Sequence, residues 1–152
     1  MTAADIFSIV GSALDAQNAR MGAIASNLAN VDSITAPGGT PYRAHEVVFE
    51  AAPVDPPADE IVTPDGGSGG AAAPDMGVSV AGTVVSNAPP KETYDPGSPY
   101  ADAQGYVTGS NVSQVGQMVD LIDASNSYAA SVAVLQQASR IDQQLLSSFQ
   151  VT

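Results

Sequence analysis

The chain has 152 residues, no cysteine, no tryptophan and only 5% aromatics, which excludes a large aromatic core, disulfides and thiolate metal sites. Sixteen Asp and Glu face four cations, Arg20, Arg43, Lys91 and Arg140, for a net charge of −12. Neither nucleic acid nor an anionic membrane surface finds enough positive charge here to grip.

Residues 3–30 read as a first helix. Thr2 and Asp5 have the spacing of a capping box, and Asp5 suits the positive end of the helix dipole. Phe7, Val10, Leu14, Gln17, Met21, Ile24 and Leu28 step by three and four, an apolar seam over three heptads with one polar interruption at Gln17. The helix is expected to stop near Asn30, with Asn30 or Asp32 in a left-handed turn and Pro37-Gly38-Gly39 with Pro41 forbidding continuation. The start lacks a basic region followed by a compact apolar run, so a cleaved signal peptide is not expected.

The middle is different material. Glu46–Glu50 reads as one short strand with Val47 and Phe49 on one face and Val48 on the other. Residues 51–76 carry five prolines, a glycine run at 66–70 broken only by Ser68, and acids at 55, 59, 60, 65 and 75, the composition of a flexible acidic loop. Two motifs fail there. A calcium-binding glycine turn needs Asp where Ala71 stands, and a dinucleotide loop needs a helix where Ala72 and Pro74 stand. Gly77–Val85 alternates well and reads as the best strand, with Val78, Val80 and Gly82 or Val84 on one face. Tyr94–Tyr100 reads as a turn cluster whose tyrosines cover a small sheet, and Tyr106–Thr108 as a final edge strand.

Asn111–Phe149 reads as a second, longer helix, capped by Asn111 with Gln114 reaching back. Leu121, Tyr128, Val132, Leu135, Ala138, Ile141, Leu145 and Phe149 fall close to one stripe. At ~1.5 Å per residue it spans about 55–60 Å, more than a chain this small needs to wrap a compact core. Such a narrow face needs another helix, and the first helix is the partner of matching character. The expected fold is therefore mainly α: an antiparallel, coiled-coil-like pair of terminal helices (1–35 and 111–152) with a small β-rich middle piece (36–110). Gln17, with Ser125 or Asn126 opposite, either fixes register or lines a solvated seam edge.

Catalytic chemistry finds no constellation. His45 is the sole histidine, no Gly-x-Ser-x-Gly elbow follows a strand, and the acids of the middle loop lack a rigid support. No enzyme, cofactor, metal or small-molecule substrate is expected.

The two ends also carry a resemblance. Ser12–Gln17, Arg20 and Ala25–Ser33, with Asn27 and Asn30, resemble the N-terminal signature of the bacterial flagellar rod and hook axial proteins. Asn111-Val112, Met118–Ile122, Ala124-Ser125 and Tyr128 resemble that family's C-terminal signature. Pro41-Tyr42-Arg43, Val47–Phe49, Gly77-Val78, Tyr94–Gly97 and Asp102–Val107 point to a short member of it. Gly116-Gln117, Asn126, Ser131 and Ser98 depart from the pattern, which usually has acids, Arg, Asn and His there. The resemblance implies a structural subunit of the basal-body proximal rod, whose terminal helices polymerise into a tube around an export channel. It further implies export without cleavage by the flagellar type III apparatus. The implied partners are copies of itself, other rod subunits, and an inner-membrane ring and adaptor at the rod base. The competing reading is an acidic secreted binding module whose terminal helices dock a single partner.

Overall fold

The computed structural model describes residues 3–54 and 75–149. Thr2 and most of the acidic stretch 51–76 lie outside the described residues, as do the side chains of the stripe positions Leu145 and Phe149. The element order is α1 (Ala3–Ala29), β1 (Ile34–Thr35), β2 (His45–Pro53), β3 (Met76–Val85), β4 (Lys91–Tyr94), β5 (Tyr106–Gly109) and α2 (Gln114–Phe149).

The two helices pack against each other in reversed order: Asn27 meets Gln117, Arg20 meets Asp120, and Phe7 lies beside Leu135 and Arg140. They are nearly flush at the Asn27 end. The extra nine residues of the 36-residue α2 therefore run past the start of the 27-residue α1. On α1, Val10 and Ile24 are buried, while Phe7, Leu14, Gln17, Met21 and Leu28 are half-buried. On α2, Leu121, Tyr128, Val132 and Leu135 are half-buried, and Ala124 is fully covered. Ile141, near the overhang, is 48% exposed.

A second stripe on α1 did not show as hydrophobic periodicity. Ser12, Ala16, Ala23 and Asn27 follow helical spacing, and Ala16 and Asn27 are among the most deeply buried side chains. This face meets the β2–β3 hairpin: Ser12 Oγ accepts from Val78 N (3.1 Å), and Ala23 with Ser26 faces Val47, Val80 and Thr83. Small residues let a strand pair approach a helix closely, and they carry too little apolar area to announce a core face.

The strands form two sheets, β2–β3 and the three-stranded β1–β5–β4, all antiparallel. β2 is longer than the expected 46–50, and its alternation holds, with Val47 and Phe49 inward and Val48 and the glutamates outward. β3 departs from the expected face. Val48 pairs with Gly82 and Phe49 with Val80, so Ala81 is an extra residue, a bulge that breaks the period of two. Val84 consequently falls on the outward face with Glu46 and Val48, Val80 stays on the face of Phe49 though 41% exposed, and Gly77 is the buried position. Tyr106–Gly109 is not an edge strand but the central one of its sheet, because β1 and β4 flank it. Tyr94 does not cover the sheet. It stands exposed on β4 with its ring edge-on to Tyr106, centroids 5.3 Å apart. Tyr100 is exposed as well. Gly105, at φ +84°, permits the tight return in which Asp102 Oδ1 accepts from Gln104 N and Tyr106 N at 2.8 Å each.

Both helix termini differ from expectation. α1 does not end in a left-handed turn; among the described residues no non-glycine has positive φ. It tightens instead, Asn30 N donating to Asn27 O and Val31 N to Leu28 O, while Asn30 Nδ2 caps Ser26 O at 2.8 Å. The cap of α2 is Ser113 and not Asn111. Ser113 Oγ accepts from Gly116 N, and its carbonyl accepts from Gln117 N, the first helical bond.

Candidate functional site

With Ser113 as the cap, Asn111 serves elsewhere. Its Oδ1 accepts from Ala44 N (2.7 Å) and its Nδ2 donates to Ala88 O (2.9 Å), so one side chain holds together the segments leading into β2 and out of β3. Beside it, Ser110 is buried with its Oγ accepting from Val112 N, and its own N–H donates to Ser33 O. The approach to α2 is thus fixed to the exit of α1 by backbone and side chain together.

Asn27 is the centre of the junction. It is the largest fully buried side chain among the described residues, 1% exposed. Its Nδ2 donates to His45 O (2.8 Å) and to Gln117 Oε1 (2.9 Å). Its Oδ1 accepts from His45 N (2.8 Å) and from Tyr42 OH (3.1 Å). All four hydrogen-bonding capacities of the amide are used, which is what makes a buried Asn tolerable. Tyr42 gives its one proton to Asn27, so its oxygen accepts from Ser26 Oγ (3.2 Å) and from His45 Nδ1 (3.1 Å), an arrangement that places the imidazole proton on Nδ1. From Gln117 the chain of bonds runs on: Nε2 donates to Asp120 Oδ2, and Asp120 Oδ1 lies 3.9 Å from Arg20 Nη2. That last pair is long and more than a third exposed on both sides, so it adds little.

This arrangement is a structural joint. It ties α1, the start of β2 and the start of α2 through hydrogen bonds of Asn27, Tyr42, His45 and Gln117. Among the described residues there is no group of acids and histidines placed to hold a metal ion, and no helix long and apolar enough to cross a membrane.

Of the residues singled out in the sequence, Asn27 and Asn111 are joint members, and Asn30 closes α1 one turn away. Met118 is 45% exposed and Tyr128 half-buried, and neither enters the network. Tyr42, His45, Gln117 and Asp120 were not recognised as members, because they are scattered over 79 positions and share no spacing. The available signal was an Asn placed within a buried helix face. Gln117, one of the departures from the family pattern, fills its place through both ends of its amide. The oxygen meets Asn27, and the nitrogen meets Asp120 where a carboxylate would repel it.

Facing away from α1, Val115, Met118, Val119 and Ile122 form an exposed apolar stripe on the first turns of α2, Val115 being 73% exposed. Farther along the helix, Ala129, Ala130, Ala133 and Val134 are exposed too. Four large apolar residues on adjoining turns are more than scattered surface hydrophobicity.

Paired terminal helices with a β-rich middle between them in sequence leave an apolar stripe exposed in the single chain. The family model for the flagellar basal body rod FlgEFG protein C-terminal matches residues 103–148, from the β5 turn to the last turn of α2. Similarity to whole proteins is more extensive. The flagellar basal-body rod protein FlgC of Escherichia coli O6:H1 is 49% identical over 135 residues, 89% of each chain. That of Salmonella typhimurium is 47% identical over the same share, and that of Borreliella burgdorferi 34% identical over 84% of this chain and 85% of its own. The chain belongs to the FlgC family of flagellar basal-body rod proteins.

Proposed function

We propose that the chain is a structural, non-catalytic subunit of the flagellar basal-body rod, whose activity is its incorporation into that assembly. The observation that carries this is similarity to rod proteins running through both terminal helices and the middle in one order. The single-partner docking module finds no support in the relatives.

The inner unit comprises 1–35 and 111–152, with 36–110 outside it. Phe7, Val10, Leu14, Gln17, Met21, Ile24 and Leu28 form a coiled-coil-like seam with Leu121, Tyr128, Val132 and Leu135. Ile141 and the overhang of α2 continue it against a neighbouring subunit, since α2 outruns α1 there. The exposed α2 stripe from Val115 to Ile122 packs on copies of the chain or on other rod subunits. Burying those four side chains would contribute on the order of several kcal/mol per contact. The site is the proximal rod above the inner-membrane ring and its adaptor, reached through the type III export apparatus without cleavage.

The test is complementation of a strain lacking its own rod gene, followed by electron microscopy and mass spectrometry of purified basal bodies. The chain is expected in the rod at several copies per basal body, with its full N-terminal peptide. A one-to-one complex with a soluble protein, and rods lacking the chain, would overturn the reading.

A further inference from the structure

The β2–β3 hairpin has an open edge with a defined register. Ser86 N donates to Ala44 O and Val54 N to Asp75 O, so the even-numbered residues of β2 direct their N–H and C=O groups towards β3. The bulge residue, Ala81, belongs to β3, so β2 itself keeps its period. The odd residues His45, Val47, Phe49 and Ala51 therefore direct theirs the other way. His45 shows this directly, since both its N–H and its C=O are taken by the amide of Asn27. Asn27 occupies the first rung of a strand position that is otherwise empty. The next rungs, at Val47 and Phe49, have no partner among the described residues.

Those rungs open into a cleft of about 460 Å³ between β2 and the two helices. It is lined by Ala23 and Ile24 on one wall and by Arg20, Gln117 and Asp120 on another. Donors and acceptors recurring every second residue, ~6.8 Å apart, match an extended backbone and not a compact small molecule. The outward row beside the edge is acidic: Glu46 and Glu50 flank Val48, and Glu46 has no ion pair among the described residues. With Asp120, the cleft has two carboxylates against the single guanidinium of Arg20.

We infer that the open edge of β2 at Val47 and Phe49 receives an extended segment of a different rod subunit, one in which apolar residues alternate with lysine or arginine. The apolar side chains would face Ile24 and Ala23. The basic ones would stand beside Glu46 and Glu50, as opposite charges on adjacent strands do. A second copy of this chain is the poorer occupant, with four cations against sixteen acids. The inference rests on the rod-subunit reading and names the partner chemistry of one of its surfaces.

Two measurements test it. Hydrogen exchange by mass spectrometry compares the isolated chain with the chain in purified basal bodies. The amides of Val47 and Phe49 are expected to slow at least tenfold in the assembly. If they exchange equally fast in both while α2 around Val119 is protected, the inference fails and the rod reading stands; if neither is protected, the rod reading fails. The second measurement uses Val47→Pro, which removes an edge N–H without touching the β3 ladder, and Val47→Ala, which keeps it. Val47→Pro is expected to melt as the parent does yet to enter fewer than a tenth as many rods, with Val47→Ala entering normally. Normal incorporation of Val47→Pro, or protection of Val47 on self-association of the purified chain alone, would overturn the inference.

Discussion

Asn27 and His45 are joined as two strands are: the Asn27 amide donates to the His45 carbonyl and accepts from the His45 N–H, each at 2.8 Å. A helix side chain thereby replaces a backbone partner at the end of a sheet. Removing it leaves two part-buried backbone groups of His45, the Tyr42 hydroxyl and Gln117 without their partner. Asn27→Ala is expected to destabilise the chain by about 2–4 kcal/mol. Asn27→Asp should be no better, since it keeps the acceptor but loses both donors. Urea denaturation of the purified chain measures this, and a loss well under 1 kcal/mol for both variants would show that water replaces the amide.

Gln17 presents the opposite case. Its Oε1 is buried without a hydrogen-bond partner, at a position that continues the helical spacing of the apolar Val10, Leu14, Met21 and Ile24. Gln17→Leu removes that desolvated oxygen at similar volume, and is expected to raise stability by about 1 kcal/mol. A lower melting temperature for Gln17→Leu would mean that the oxygen is satisfied in solution. If the amide sets the register of the pair, the variant should gain stability and lose accuracy of assembly, which rod counts per cell would detect.

Gly77 is buried where β3 crosses α1, and a Cβ there would run into Val54 Cγ2 and lie 2.6 Å from Ser12 Oγ. Ser12 Oγ is also the acceptor for Val78 N and donates to Ile9 O, so it has little freedom to move. Gly77→Ala is expected to destabilise by about 1–3 kcal/mol. Thermal melting checks it, with Gly82→Ala as the control, since nothing lies within 4 Å of a Cβ at Gly82.

Ala130 and Ala133 face away from α1 and are exposed in the single chain. Ala130→Trp and Ala133→Trp should leave its melting temperature within a few degrees of the parent, yet block assembly if neighbouring helices approach there. Soft-agar motility of complemented cells gives the answer, and normal swimming with both variants would show that this face stays uncovered.

The helices were legible because each carries a long apolar stripe without proline, and the termini of α1 came out within one residue. The hairpin was legible at β2, where valine and phenylalanine alternate with glutamate. It was misread at β3, where a bulge at Ala81 shifts the pattern without any change in composition. β1 escaped because two residues are too few to show a period, and β4 because Lys91-Glu92-Thr93-Tyr94 is exposed throughout and carries no apolar alternation. The joint was half legible. Asn27 and Asn111 were picked out by resemblance, but the cap assigned to Asn111 belongs to Ser113, since both residue types suit a helix start and only the backbone path distinguishes them.

The hairpin meets α1 at Ser12 and again at Asn27, fifteen residues apart, about 22 Å along the axis. A projection hinged at a single point swings about it, whereas one fastened at two separated points must turn with the shaft that bears it. Any rotation of α1 would thus carry the hairpin with it. Cutting either fastening alone should free the hairpin to pivot while it stays attached.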